Sequence, residues 1–264
     1  MGPFRSDSRP FSDRDYAGRH LASHLTAYRD QPDSVVVLGL ARGGVPIAAA
    51  VARALDAPFD ALVVRKLGVP DQEELAFGAL AAHGPDQAEV LMDEVLATLP
   101  PERRRKAALD EVRERESREL RRRQLSYLRR RGIDVGEQNV ILCDDGLATG
   151  ASMLAAIKVI RQGHPDRVIV ASPVGPPRVC AELAAMADEL VCPLQPEEFG
   201  AVGEFYANFA QVSDEDVRRL VGGLFSTWQP LRAAPPPGVD GGGGAAVVVP
   251  CVSTSRRSPR GVQP

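Results

Sequence analysis

The run Val140-Ile141-Leu142-Cys143-Asp144-Asp145-Gly146-Leu147-Ala148-Thr149-Gly150-Ala151-Ser152 falls into three pieces. Four apolar residues read as a buried strand, two adjacent carboxylates stand where it ends, and a Gly/Thr/Ser loop opens into a helical stretch from Met153 to Arg161. In open parallel sheets ligands bind at the carboxyl edge of the strands. Amides gathered at a helix N-terminus, with hydroxyls such as Thr149 and Ser152, make a seat for a phosphate. Two neighbouring carboxylates suit a divalent cation or the hydroxyls of a sugar. The unit therefore reads as one built for a phosphorylated sugar with a metal. An acidic strand end beside an ordinary turn would explain the carboxylates but not the Thr-Gly-Ala-Ser that follows them.

The same run resembles the signature of the type I phosphoribosyltransferases, which bind 5-phosphoribosyl 1-pyrophosphate (PRPP): an apolar strand, two acids, two further residues, then a small-Thr-Gly-x-Ser/Thr loop. The resemblance implies an α/β fold, a doubly wound and mainly parallel sheet. With the residues read below, this gives a phosphoribosyltransferase-like domain at 1–228, with an inserted lid or hairpin and a long charged helix (68–131) and a small hood (195–212). The shift in composition beyond Trp228 reads as a disordered Pro/Gly-rich tail at 229–264.

At 264 residues the chain has room for one large or two small domains, and 44% apolar with 25% charged residues is ordinary for a globular protein with a sizeable core. A net charge of -3 argues against a nucleic-acid partner. Cys143, Cys180, Cys192 and Cys251 show no metal-binding spacing and no disulfide framework, which fits a reducing cytoplasm. The polar N-terminus lacks the apolar segment of a signal peptide, and its Met1-Gly2 start, which nominally fits a myristoylation pattern, is discounted. No run reaches the ~18 apolar residues of a membrane helix.

Along the chain, Ser12 and Asp15 suggest a capping box for a helix from Ser12 to Tyr28. Val35 to Leu40 reads as a strand, Ala41-Arg42-Gly43-Gly44 as a loop, and Val45 to Leu55 as a helix with Pro46 in its first turn. In the resembling family the loop at this place binds pyrophosphate, often through a cis non-proline peptide, and Ala41-Arg42 is the candidate bond. Taken alone, Gly43-Gly44 fits an ordinary tight turn as well. Asp60 to Lys66 is the next strand; alternation points Arg65 and Lys66 apart, and Lys66 is the one expected to meet phosphate charge. A hairpin is expected between Gly68 and Met92. The family carries a mobile lid here, which would exclude water from a reactive sugar cation.

The charged helix from Glu102 to Arg131 has a narrow apolar stripe (Leu109, Val112, Leu120, Leu128) and reads as a solvated face, with Arg-rich ends that leave open a contact to a neighbouring subunit or a phosphate. Strand Arg167 to Val174, helix Pro177 to Met186 and strand Glu189 to Leu194 complete a sheet with helices on both faces. Phe199, Phe205, Tyr206 and Phe209 either form a hood that stacks on a nucleobase or seal the sheet edge. Ser213 with Asp216 starts a last helix to about Leu224, and the Pro/Gly-rich stretch from Ala233 is expected to be disordered.

What the resemblance implies for the chemistry is displacement of pyrophosphate at C1 of PRPP by a nucleobase or related acceptor, with Mg²⁺, in nucleotide metabolism or salvage. Asp144, Asp145 and Lys66 would be the catalytic residues, the two acids holding the ribose hydroxyls or the metal, directly or through substrate or water. Arg42, Gly43 and Gly44 would hold the pyrophosphate. Ala148, Thr149, Gly150, Ala151 and Ser152 would hold the 5-phosphate. Phe199 and Tyr206 would contact the acceptor. Ala148 stands where hypoxanthine-guanine-type enzymes carry an aspartate and adenine- and uracil-type loops carry alanine, so a 6-oxopurine is disfavoured. A homodimer is compatible, and no membrane partner is expected. The rivals are a non-catalytic PRPP or nucleotide sensor on the same fold and a receiver-like domain, against which the Thr-Gly-x-Ser loop counts.

Overall fold

The computed structural model describes residues 10–225 except 30, 32, 33, 71, 100, 102–105 and 128–131. Expectations for the chain beyond residue 225 and for both ends of the charged helix, Leu128 included, lie outside the described residues.

Asp13 caps the first helix, α1 (Arg14–Ala22), by accepting from the Tyr16 amide. The expected Ser12 cap is thus displaced by one residue. The helix also stops short of Tyr28: Ser23 turns its hydroxyl onto the His20 carbonyl, and a 3-10 turn (Thr26–Tyr28) takes over. Leu21, Leu25 and Tyr28 are buried all the same, so the apolar spacing is met by helix plus turn.

Strand β1 (Val35–Ala41) leads into α2 (Gly44–Leu55), and β2 (Phe59–Val69) runs beside β1 in parallel. The expected hairpin is present as β3 (Gln72–His83) and β4 (Asp86–Leu91), but it extends the main sheet: β3 pairs antiparallel with β2. The turn between β3 and β4 therefore lies at the edge away from the carboxyl end of β2, and the β2–β3 turn borders that end. Helices α3 (Asp93–Thr98) and α4 (Lys106–Tyr127) follow, then β5 (Asn139–Cys143), α5 (Ala151–Arg161), β6 (Arg167–Ala171), α6 (Pro177–Ala184), β7 (Glu189–Val191), a 3-10 turn (Val202–Phe205) and α7 (Asp214–Phe225).

The sheet has seven strands in the order β4-β3-β2-β1-β5-β6-β7. Side-chain alternation divides its core cleanly. Val35, Val37, Ala61, Val63, Ile141 and Ile169 face α1, α2, α4 and α7. Val36, Leu38, Leu62, Val64, Val140 and Val168 face α5 and α6. Strand order reverses between β1 and β5, the kind of switch point where open α/β sheets bind ligands. Gly39 of β1 is level with Cys143 of β5, so the loops leaving these two strands emerge side by side.

That adjacency leaves no room for side chains. A Cβ at Gly44 would stand 2.3 Å from the Cys143 carbonyl oxygen and 2.9 Å from Asp144 Cα, both backbone atoms that cannot step aside. Gly44→Ala should therefore destabilise the fold by about 2 kcal/mol, read as a lower urea midpoint at unchanged slope.

The charged helix α4 is tied to α7 through Asp214, which accepts from the Tyr127 hydroxyl and from Arg122 at 3.0 Å and lies 3.6 Å from Arg42. The Tyr127 hydroxyl first, and then Arg122, hold the Asp214 carboxyl below its usual range, and Arg122 above all holds Glu119 down at about 2. Depressed carboxylates contribute stability above their unfolded pKa of about 4 and lose it as pH falls through the folded value. Asp214→Ala should cost about 1 kcal/mol at neutral pH. The melting-temperature gap to the parent should stay constant above about pH 5 and narrow as the pH falls below about 4. A gap that widens in acid would contradict the assignment.

Candidate functional site

At the switch point the chain surrounds a cavity of about 920 Å³. Arg42 and Gly43 reach it from the β1–α2 loop. Lys66 comes from the end of β2, Asp144 and Asp145 from the end of β5, and Ala148, Thr149, Gly150 and Ser152 from the loop into α5. The two loops, the lysine and the acid pair that the sequence singled out thus converge on one space. Gly44 and Ala151 stand just behind its wall; Gly44 packs on Asp144, and Ala151 is fully buried.

Both helices that begin here lack a side-chain cap. Gly43 is the N-cap of α2 and Gly150 of α5, the latter at φ 74°, a left-handed conformation that glycine adopts without cost. Helix N-termini left without a capping side chain direct their amides and partial positive charge at whatever occupies the cavity. The Ala41-Arg42 peptide is cis, the bond proposed from the sequence.

The acid pair is an electrostatic problem that the surroundings partly solve. Burial pushes both carboxyls above the usual range, and the adjacent Asp145 charge raises Asp144 further. Arg14 and Lys66 act in the opposite sense. The Asp145 amide also donates to Asp144 Oδ1 at 2.9 Å. Arg14 on α1 holds Asp145 from the side, with Nε and Nη2 both 2.8 Å from Oδ2.

Helix α4 belongs to this site and is not simply a solvated face. Glu116 is buried and accepts from Arg65 (2.6 and 2.7 Å) and from Arg115 (3.0 Å), and Arg115, Glu116 and Arg123 all line the cavity. Arg65, on the opposite face of β2 from Lys66, is thereby drawn to α4, while Lys66 remains exposed in the cavity. Sequence reasoning missed this contribution, although a signal existed. Glu116 and Arg123 fall on the stripe Leu109, Val112, Leu120, Tyr127 at helical spacing, and a charge on a buried stripe needs a partner. The cavity wall carries six basic side chains (Arg14, Arg42, Arg65, Lys66, Arg115, Arg123) against three acidic ones (Glu116, Asp144, Asp145). Such a wall suits a polyanion.

The remaining wall is the hood: Gly200, Ala201, Val202, Gly203, Phe209, Gln211 and Val212. Its aromatics are mostly engaged with one another. Phe199 stacks on Phe205 and lies off the cavity wall. Tyr206 is fully buried, packs against Phe11 and Phe209, and donates its hydroxyl to the Asp145 carbonyl at 2.7 Å. The structure thus places neither Phe199 nor Tyr206 on the cavity wall, and of the four aromatics singled out only Phe209 reaches it. The Arg14 guanidinium already covers that ring, 3.9 Å from its centre.

Among the described residues no group of three or more His, Cys, Asp or Glu side chains is arranged to hold a metal unaided, and no helix is long and apolar enough to cross a membrane. Cys143, Cys180 and Cys192 are buried free thiols.

Comparison with known proteins agrees with this geometry. Residues 15–202 match the family model described as the phosphoribosyl transferase domain. Proteins from two strains of Mycobacterium tuberculosis, each named "Putative phosphoribosyl transferase", are 46% identical over 208 residues, which is 78% of this chain and 45% of theirs. The chain thus spans less than half the length of these curated relatives. The crystal structure of TT1426 from Thermus thermophilus is 39% identical, superimposes with a TM-score of 0.63, and is covered over 97% of its length by 80% of this chain. With a family model over most of its length and the switch-point site intact, the chain belongs to the phosphoribosyl transferase domain family.

Proposed function

We propose that the chain transfers the phosphoribosyl group of PRPP to a nucleobase or related acceptor and releases pyrophosphate. The observation that carries this reading is the convergence of two uncapped helix N-termini, an acid pair and a wall of cations on one cavity. The 5-phosphate sits on the amides and hydroxyls of Ala148 to Ser152. The ribose hydroxyls meet Asp144 and Asp145, and the pyrophosphate lies between the Ala41–Gly44 loop, Lys66 and the arginines of α4. The C1–oxygen bond to pyrophosphate breaks as the bond to an acceptor nitrogen forms, and the acceptor's proton passes to solvent. Positive charge that develops on the sugar is then faced by the two acids, and negative charge on the departing pyrophosphate by the cations. Holding both ends of the donor also fixes C1 for in-line attack. The end of β2, whose Gly68 lines the cavity, is placed to shield the reacting carbon from water.

Mg²⁺ fits this arrangement as an ion that arrives with the substrate, because magnesium is commonly held by one or two carboxylates plus substrate phosphate oxygens. Asp144, to which no arginine is bonded among the described residues, would hold it, with Asp145 near by. When bound, the ion would neutralise charge on the leaving group.

The acceptor slot is bounded by Gly146, Val202, Phe209, Gln211 and Val212. Ala148 offers no carboxylate to a purine, which disfavours a 6-oxopurine acceptor.

The test is a panel of nucleobases with labelled PRPP and Mg²⁺, reading pyrophosphate release. At least one base should support turnover, and Lys66→Ala should lower kcat/KM on the order of 10- to 100-fold. Micromolar PRPP binding without turnover on any base would sink the transferase reading in favour of a sensor. Absence of PRPP binding would sink both.

A further inference from the structure

Arg14 lies outside every loop that the donor reading uses, yet it holds the second acid. Besides its two contacts with Asp145 Oδ2, its Nη1 donates to the Ala210 carbonyl at 2.8 Å, and its plane rests on Phe209. The side chain is 11% exposed, and that of Asp145 is 14% exposed. One guanidinium therefore joins the end of β5 to the hood. The segment before α1 is bound to the hood as well: Phe11 donates to Phe205 O (3.1 Å), and Ala207 and Asn208 donate to the carbonyls of Phe11 and Ser12 (2.8 Å each). Tyr206 closes the circuit from the hood back to the Asp145 backbone.

A buried carboxylate with no fixed partner would rotate freely, and that weakens it as a directed acceptor for a sugar hydroxyl. Two N–H groups from a planar fork fix its orientation. Both land on Oδ2, so Arg14 leaves Oδ1 to another donor.

We propose that Arg14 is a positioning residue that orients the Asp145 carboxylate towards one ribose hydroxyl of the donor and locks it in register with the acceptor hood. The proposal rests on the PRPP reading above, and it makes α1, together with the signature loop, a determinant of sugar selectivity.

The experiment is calorimetric titration of the full chain and its Arg14→Ala, Arg14→Lys and Asp145→Asn variants. The titrants are PRPP, its 2-deoxy and 3-deoxy analogues, and pyrophosphate alone. The parent should favour PRPP over one deoxy analogue by at least about tenfold, the worth of one charge-assisted hydrogen bond. Arg14→Ala should bind PRPP about tenfold more weakly, lose that discrimination, and keep its affinity for pyrophosphate. Guanidinium ion at concentrations well below denaturing should restore discrimination to Arg14→Ala but not to Asp145→Asn. Arg14→Lys keeps the charge without the fork, should also lose discrimination, and carries the comparison if Arg14→Ala does not fold. Unchanged discrimination, or an equal loss of affinity for PRPP and pyrophosphate, would overturn the positioning role while the donor reading stands. A parent that does not bind PRPP would overturn both.

Discussion

The carboxyl ends of β1 and β5 lie against each other with no side chain between them. The Gly43-Gly44 backbone sits on Asp144 and Asp145 so closely that a Cβ at Gly43 would stand 2.1 Å from Asp145 Oδ2. This contact places one helix N-terminus beside two carboxylates and a second beyond them, and it creates the tension that the rest of the site relieves. Two adjacent acids withdrawn from water repel each other, and each is desolvated. Arg14 and Lys66 offset that cost from two sides. The six cations in the wall repel one another in turn, and Glu116, Glu119 and Asp214 hold Arg65, Arg115, Arg123 and Arg42 in place. A cavity charged in this way is a poor contributor to stability and a good receptor for a molecule with phosphates at both ends and hydroxyls in the middle.

How much of this was legible beforehand follows from distance along the chain. The strand, acid pair, loop and helix around Asp144 are local, and alternation with glycine placement reveals them; the same holds for Val35 to Leu55. Even the cis Ala41-Arg42 bond could be proposed, because the family resemblance named the loop that carries it. The hairpin was visible from its turn residues, but its docking on β2 was not, since register between strands is not written in either strand alone.

Long-range ion pairs were the blind spot. Arg14 and Asp145 are 131 residues apart, and nothing near Arg14 marks it as more than a residue in the first turn of a helix. Glu116 was misjudged for a different reason: in a helix dense with both signs of charge the usual reading is solvation. The position of Glu116 on the apolar stripe outweighs that composition once Arg65 is known to lie opposite. The hood aromatics illustrate a third limit. Their concentration signalled a packed element near the site, but which ring faces the cavity depends on the 3-10 turn at Val202–Phe205. That turn directs Tyr206 inward, onto the Asp145 carbonyl, and leaves Phe209 at the wall beneath Arg14.

The central claim is that the donor lies across the switch point with its two phosphate ends on two different loops. A crystal structure of the full chain with PRPP and Mg²⁺ tests it most directly. The account predicts the 5-phosphate on the amides of Thr149 to Ser152 and the pyrophosphate between the Ala41–Gly44 loop, Lys66 and Arg123. The ribose should lie between them, over Asp144 and Asp145. PRPP bound outside this cavity, or with its pyrophosphate on the Thr149–Ser152 loop, would contradict it.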